Sequence, residues 1–201
     1  MLSSISPVGE AARHQRWGLT VTAYLLASTV AGGLVGAGAG GLGEIVTGSA
    51  GTTEPRRLLV LALVALVGLA LDRELGGLRL PTWRRQVDEN WLTTYRGWVY
   101  GAGFGFQLGL GFATTVTRSV TYVAFAGAAL SASWEAGLLV GATFGATRGL
   151  PLLLAGRLRT PARLRSFHRR LAAVARPADR LAGVGQASVA VLALLSAGAL
   201  R

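Results

Sequence analysis

Residues 97–156 read GWVYGAGFGFQLGLGFATTVTRSVTYVAFAGAALSASWEAGLLVGATFGATRGLPLLLAG, and this stretch decides the fold class. Only Arg118, Glu135 and Arg148 interrupt 60 residues of apolar, small and hydroxyl side chains. A transmembrane helix needs about 20 predominantly apolar residues, so the stretch is long enough for two long spans or three short ones. Such a run has no place in a soluble core of this size, and it points to lipid.

The rest of the chain agrees. Residues 17–43 are free of charge and form a candidate first span behind a polar leader carrying Arg13 and Arg16. A signal-peptide core is only about 7–15 residues long, so this segment reads as a retained span. Residues 58–71 are fourteen uncharged residues between Arg56–Arg57 and Asp72–Arg73, short for a span unless the arginines snorkel. Residues 181–200 form a last uncharged run. Two segments concentrate arginine, 73–96 with five and 157–180 with eight. The positive-inside rule places both in the cytoplasm, which requires an even number of crossings between them. The expectation is an all-α integral membrane protein, a single polytopic domain over 1–201. Its bundle has five transmembrane helices (17–43, 57–72, 97–131, 136–156 and 181–200), with six as the alternative. It lies in the inner membrane with a cytoplasmic N-terminus.

Both arginine-rich loops carry helical periodicity. Thr160–Pro161 matches an N-cap followed by proline at the first helical position. Leu164, Phe167, Leu171 and Val174 then recur opposite the arginines until Pro177, where the helix is expected to stop. Trp83, Val87 and Trp91 recur at four-residue spacing in the other loop. Two interfacial amphipathic helices are expected, with the arginines facing anionic headgroups.

The glycines are patterned too. Gly32, Gly36 and Gly40 are spaced by four, as are Gly101, Gly105 and Gly109, and Gly137, Gly141, Gly145 and Gly149. Apolar lipid does not press helices together, so close approach of backbones along small-residue grooves must do it. These ten positions are read as helix-packing residues, within the chain, in a homo-oligomer or against a partner in a larger membrane complex. The run Gly101-x-Gly103-x-Gly105 lacks the spacing, preceding strand and downstream acid of a dinucleotide loop.

Polar groups at membrane depth are costly and mark function by default. Gln107 lies on a small-residue face, and Thr114, Thr115, Thr117 and Arg118 follow where a helix is expected to break. Arg148 lies between Gly145 and Gly149. Broken helices with free backbone groups are how many transporters bind solutes, so Gln107, Thr114, Thr115 and Arg148 are the candidate substrate pathway. Glu44, Glu54, Asp72 and Glu135 read as terminal or interfacial.

Composition narrows the chemistry. The chain has 201 residues, 51% hydrophobic and 14% charged, with 29 glycines and a net charge of +11; its mean hydropathy is +0.48. All twenty basic residues are arginine, and they flank apolar runs instead of forming the continuous basic face that nucleic acid requires. There is no cysteine, hence no disulfide, thiolate metal site or thiol relay. His14 and His168 lie far apart. No paired carboxylates or nucleophile–base set appears, so neither an enzyme, a metal site nor a cofactor is expected.

Residues 103–156 resemble the transmembrane proteins of the CcdA/DsbD type, within a wider superfamily that includes LysE-type exporters. The resemblance lies in a glycine-rich helix, a break, an alanine-rich stretch, and a helix of the form G-x-L-x-G-x-x-x-G-x-x-x-G-L-P-L-L-L. It implies a related fold and solute handling. Members of the thiol branch carry a cysteine beside a proline at the break. Here the positions read Thr114-Thr115-Val116-Thr117, so the resemblance implies no electron relay. The sequence thus leads to two expectations: transport or export of a small solute, with anions foremost, or a non-transporting scaffold or subunit of a membrane complex.

Overall fold

The computed structural model describes residues 5–77, 80, 90–113, 116–157 and 160–200. Among them the chain is helical: α1 (Pro7–Ala12), α2 (Trp17–Ser49), α3 (Glu54–Asp72), α4 (Trp91–Thr94), α5 (Gly97–Gly109), α6 (Val120–Leu130), α7 (Trp134–Gly149), α8 (Pro151–Leu154) and α9 (Pro161–Ala199), with 3-10 turns at Leu75–Gly77 and Ala155–Arg157.

The expected five spans, or six, are corrected to three. Among the described residues, only Trp17–Gly48, Trp134–Leu154 and Arg165–Ala199 are helices long and apolar enough to cross a membrane. Two physical reasons account for the difference. The run 97–131 is not one helix. It breaks after Gly109, where Gly111 takes a left-handed φ of 76°, and α6 begins only at Val120. The resulting helices, of 13 and 11 residues, are about 20 and 17 Å long, against a bilayer core of about 30 Å. In α3, charges close in from both ends: Glu54, Arg56 and Arg57 at one, Asp72 at the other.

The pair of interfacial helices is corrected as well. Pro177 does not end a helix; it lies inside α9, which is 39 residues long from Pro161 to Ala199. Proline's fixed φ is itself close to helical, and its cost inside a helix is a lost hydrogen bond and a clash that a bend relieves. The amphipathic run and the last apolar run are therefore one helix. Of the other proposed interfacial helix, Trp83 and Val87 lie outside the described residues, and Trp91 opens the single turn α4.

The chain forms two compact units. The first takes its described residues from Met1–Gly32, Arg84–Thr114 and Ala142–Arg176, and the second from Gly33–Trp83, Thr115–Gly141 and Pro177–Arg201.

The first unit is built on the opening turns of α2. Its core packs Ile5, Val21, Tyr24, Tyr100, Phe104 and Leu152. Here α5 runs parallel to α2 with backbones in contact. A Cβ on Gly101 would strike the Thr20 carbonyl, on Gly105 that of Tyr24, and on Gly109 that of Ser28. The four-residue spacing on α5 is thus matched by four-residue spacing on α2. On another side, α7 runs antiparallel, with Gly145 against Ser28 and Gly149 against Leu25. Ser28 Oγ donates to the Gly145 carbonyl at 2.7 Å.

In the second unit the later turns of α2 meet the start of α7. A Cβ on Gly36 would strike the Gly137 carbonyl and lie 2.8 Å from Gly141 Cα; one on Gly40 would strike the Ser133 carbonyl and lie 3.2 Å from Gly137 Cα. Antiparallel to α3, α6 packs Val123 against Ala65, with Ala190 of α9 completing the small core. The outward faces of both units are apolar: Leu19, Leu26 and Leu154 in the first and Leu34, Leu63, Leu139 and Leu195 in the second are each more than half exposed, as expected of helices solvated by lipid rather than water.

Candidate functional site

In the first unit, α5 stops at a defined height. Its end, Gly109, lies against Ser28, which is eleven residues past Trp17 and therefore about 17 Å along α2. The break thus sits well inside the apolar length of the first span. Gln107, half-buried, lies in the last turn of α5. Arg148, also half-buried, donates from its guanidinium to the Gly111 carbonyl at 3.4 Å. The same group lies 5.4 Å from the Phe144 ring centroid. An arginine from one helix thus meets the carbonyl end of another, where the last turn leaves acceptors without intrahelical donors. Thr114 and Thr115 lie outside the described residues.

Of the glycines expected at helix seams, Gly36, Gly40, Gly101, Gly105, Gly109, Gly137, Gly141 and Gly145 lie where backbones of this chain approach one another, Gly149 lies against the Leu25 side chain, and Gly32 is buried on α2. Gly101, Gly103 and Gly105 lie inside α5, with the Trp91 ring against Gly103.

Two polar clusters were not anticipated. The first surrounds Glu10, which is fully buried. Ser6 caps α1 by accepting from Gly9 N, and Pro7 opens the helix. This fixes Glu10 so that one carboxylate oxygen accepts from Arg13 at 2.7 Å and from the Tyr100 hydroxyl. The other oxygen accepts from Thr20 Oγ1 at 2.7 Å. Beside it, Gln15 Oε1 accepts from Gly97 N at 2.9 Å. Burial works against the charge of Arg13, but its hydrogen bonds to Glu10 and Tyr100 outweigh it, and the guanidinium titrates above its usual range. The network ties the leader to α2 and α5. The sequence signal was Ser6–Pro7, a cap and first-position pair like Thr160–Pro161.

The second cluster lies in the second unit, at the end of α3. Asp72, expected to be merely terminal, accepts from Ser119 N at 2.9 Å and from Ser119 Oγ at 2.8 Å. It thereby satisfies the start of α6. Gln186 of α9 donates from its amide nitrogen to the Ala65 carbonyl at 2.8 Å and to Ser119 Oγ at 2.9 Å. Arg118 pairs with Asp179 at 2.5 Å. A cleft of about 490 Å³ opens beside these groups, lined by Asp72, Glu74, Arg118 and Asp179 with Leu71 and Leu80. An apolar cavity of about 340 Å³ shares Leu71 and Leu80 with it and runs along Leu63, Val67, Tyr122 and Val123. Neither cavity includes Gln107 or Arg148. Among the described residues no group of acids and histidines is placed to hold a metal ion.

Comparison with known proteins gives one informative likeness. The chain is 30% identical over 159 residues to the methylamine utilization protein MauF of Paracoccus versutus, covering 75% of this chain and 55% of that protein. The chain therefore spans about half the length of this relative. No protein-family model matches, and no solved structure matches.

Proposed function

We propose that this protein is a multi-pass inner-membrane protein, not an enzyme, that moves a small solute past the break in α5, with Gln107 and Arg148 on its path. The observation that carries this reading is the depth of the break. A helix that ends against Ser28, well inside the first span, with an arginine on the Gly111 carbonyl just past its end, supports this reading, because discontinuous helices line the polar paths of transporters. The guanidinium favours anions over cations at this point. The resemblance of 103–156 to CcdA/DsbD-type proteins is part of the same proposal, as is a place in methylamine use by analogy with the named relative. A positive Arg148 would repel methylammonium, so that cation is not the proposed cargo.

The first unit also supports an orientation. Gly97, at the end of one arginine-rich segment, lies beside Gln15 and Thr20; Gly156, at the start of the other, lies against the Trp17 ring. The leader with Arg13 and Arg16 is at the same level. Three arginine-bearing segments at one level favour a cytoplasmic N-terminus with the arginines near anionic headgroups.

The competing scaffold reading relied on glycine faces docking a partner. Those faces are filled by the chain's own helices, which favours the solute reading. The chain has no cysteine, so single cysteines can be placed at Gln107 and Arg148, with controls at Ser166 and Ser196. Labelling of both mid-helix positions by an impermeant thiol reagent in sealed vesicles, slowed by a transported anion, is the expected result. If only the controls react, the interior is dry, and the protein is a membrane-complex subunit instead.

A further inference from the structure

Past Pro177, α9 presents two unlike faces within the second unit. Gln186, Ala190, Ala193 and Ala197 are buried, and Ala190 joins the small core with Ala65 and Val123. About 150° around the helix, at roughly 100° per residue, lie Leu181, Gly185, Ser188, Leu192, Leu195 and Ala199, all exposed. Leu181, Leu192 and Leu195 are 72%, 63% and 65% exposed. The spacing of the six alternates strictly, four residues and then three, which is a heptad seam. At 1.5 Å per residue it runs for about 27 Å, close to the roughly 30 Å of a bilayer core.

Lipid alone gives no reason for this pattern. Acyl chains accept any apolar surface, whereas a 3.5-residue repeat keeps one face turned toward another helix. Gly185 makes the same point. The glycines at 36, 101, 105, 109 and 145 are filled by this chain's own helices, but a Cβ on Gly185 would meet nothing within 4 Å. Glycine there weakens the helix relative to alanine and serves no contact within the chain. Ser188 sets a hydroxyl on the same outward face, where it donates to the Val184 carbonyl at 3.0 Å. Small and hydroxyl residues are enriched where membrane helices touch.

We propose that α9 pairs through this seam with α9 of a second copy of the chain, side by side and parallel. Copies inserted under the same arginine distribution share one orientation, so in a two-fold pair each seam residue meets its own counterpart. Gly185 and Ser188 then lie near the middle, where the axes cross at about 20° and must come closest. Leu181 on one side, and Leu192 and Leu195 on the other, fill the space as the axes diverge. The two Ser188 hydroxyls meet across the pair and supply an interhelical hydrogen bond. No charge lies between Leu181 and Leu200, and Arg176 and Arg180 fall about 100° or more from the seam, so nothing on it repels a like copy. Among the described residues, no other helix leaves such an alternation exposed over three heptads. The matching surface that this chain offers is α9 itself. The pairing does not depend on a solute path through the first unit.

The lack of native cysteine gives a direct test. Single cysteines at Gly185, Ser188 and Leu192, and off the seam at Leu194 and Leu139, would be oxidised in membranes and the covalent dimer measured on a denaturing gel. Only the seam brings Cβ atoms near the roughly 4 Å that a disulfide needs, so its positions should cross-link on the order of tenfold faster than the two controls. Gly185→Leu tests the affinity of the full chain in detergent. No atom of the chain occupies that position, so the monomer should keep its Tm, whereas overpacking at the crossing should weaken the dimer on the order of tenfold. Gly38→Leu, at another glycine with open surroundings, should leave the dimer unchanged. Equal cross-linking at seam and control positions, cross-linking only to a different protein, or a dimer equally tight in Gly185→Leu overturns the proposal.

Discussion

Gly36 and Gly38 are two residues apart on α2, yet they should respond in opposite ways to the same added methyl. A Cβ on Gly36 lands on the Gly137 carbonyl and lies 2.8 and 2.9 Å from the Cα and N of Gly141; one on Gly38 meets nothing within 4 Å. The atoms struck are backbone, so no rotamer change relieves the overlap, and the helices must separate by about 1 Å. A gap of that size forfeits about a quarter to a half of the attraction between facing atoms. At about 0.1–0.2 kcal/mol per pair and on the order of twenty pairs, the loss is about 0.5–2 kcal/mol, before strain. The higher helix propensity of alanine, about 1 kcal/mol, is common to both sites and cancels. Gly36→Ala should therefore be about 2 kcal/mol less stable than Gly38→Ala, within the usual range for overpacking. For a chain of this length that is about 4–8 °C in Tm, measurable by a thermal melt in detergent. Equal melting of the two variants would refute the view that glycine contact holds α2 to α7.

Other expectations follow from the polar clusters. Glu10→Gln keeps one acceptor oxygen where Thr20 and Tyr100 now donate to two, and it leaves Arg13 without its counter-charge, costing about 3 kcal/mol; Arg13→Met should cost less in the Glu10→Gln background than in wild type, in a double-mutant cycle read by Tm. Gln186→Leu removes the second donor of the Ala65 carbonyl, which keeps its bond within α3, and a partner of Ser119 Oγ, for a loss of about 1 kcal/mol by the same melt. A Tm unchanged in Gln186→Leu would mean that water satisfies these groups and that the site is wet.

The residues themselves explain which features were readable. Glycine at every fourth position has one strong physical meaning in an apolar helix, so the contacts at Gly36, Gly105 and Gly145 lay on faces that the spacing had defined. The number of spans was harder, because hydropathy measures composition over a window and cannot see a turn. The break after Gly109 depends on Gly111 adopting a left-handed φ and on Asp72, far away in sequence, capping α6 through Ser119. Pro177 misled for the opposite reason: a local signal for stopping was overridden by helical sequence on both sides. Glu10 and Gln186 were overlooked because each is a lone polar residue. Their burial depends on partners as far as 90 and 121 residues away, Tyr100 and Ala65.

Ser28 connects the packing to the proposed activity. Its carbonyl is approached by Gly109 at the end of α5 and by Gly145 of α7, and its hydroxyl donates to the Gly145 carbonyl at 2.7 Å. The two elements that bring Gln107 and Arg148 to the break are thus held to one residue of α2. If α5 or α7 shifts during solute passage, the hydroxyl bond to Gly145 is among the first to be lost, because close glycine contacts slide more readily than a directional hydrogen bond re-forms. Ser28→Ala removes that bond without adding bulk, so it should cost only about 1 kcal/mol of stability. The same loss favours the open arrangement: labelling of a cysteine at Gln107 should be up to about fivefold faster, the factor that about 1 kcal/mol makes in a population. If Ser28→Ala lowers Tm as expected but leaves the labelling rate at Gln107 unchanged, Ser28 is a packing residue alone. The break in α5 would then be a fixed feature of the fold, and solute passage would have to proceed without movement at this seam.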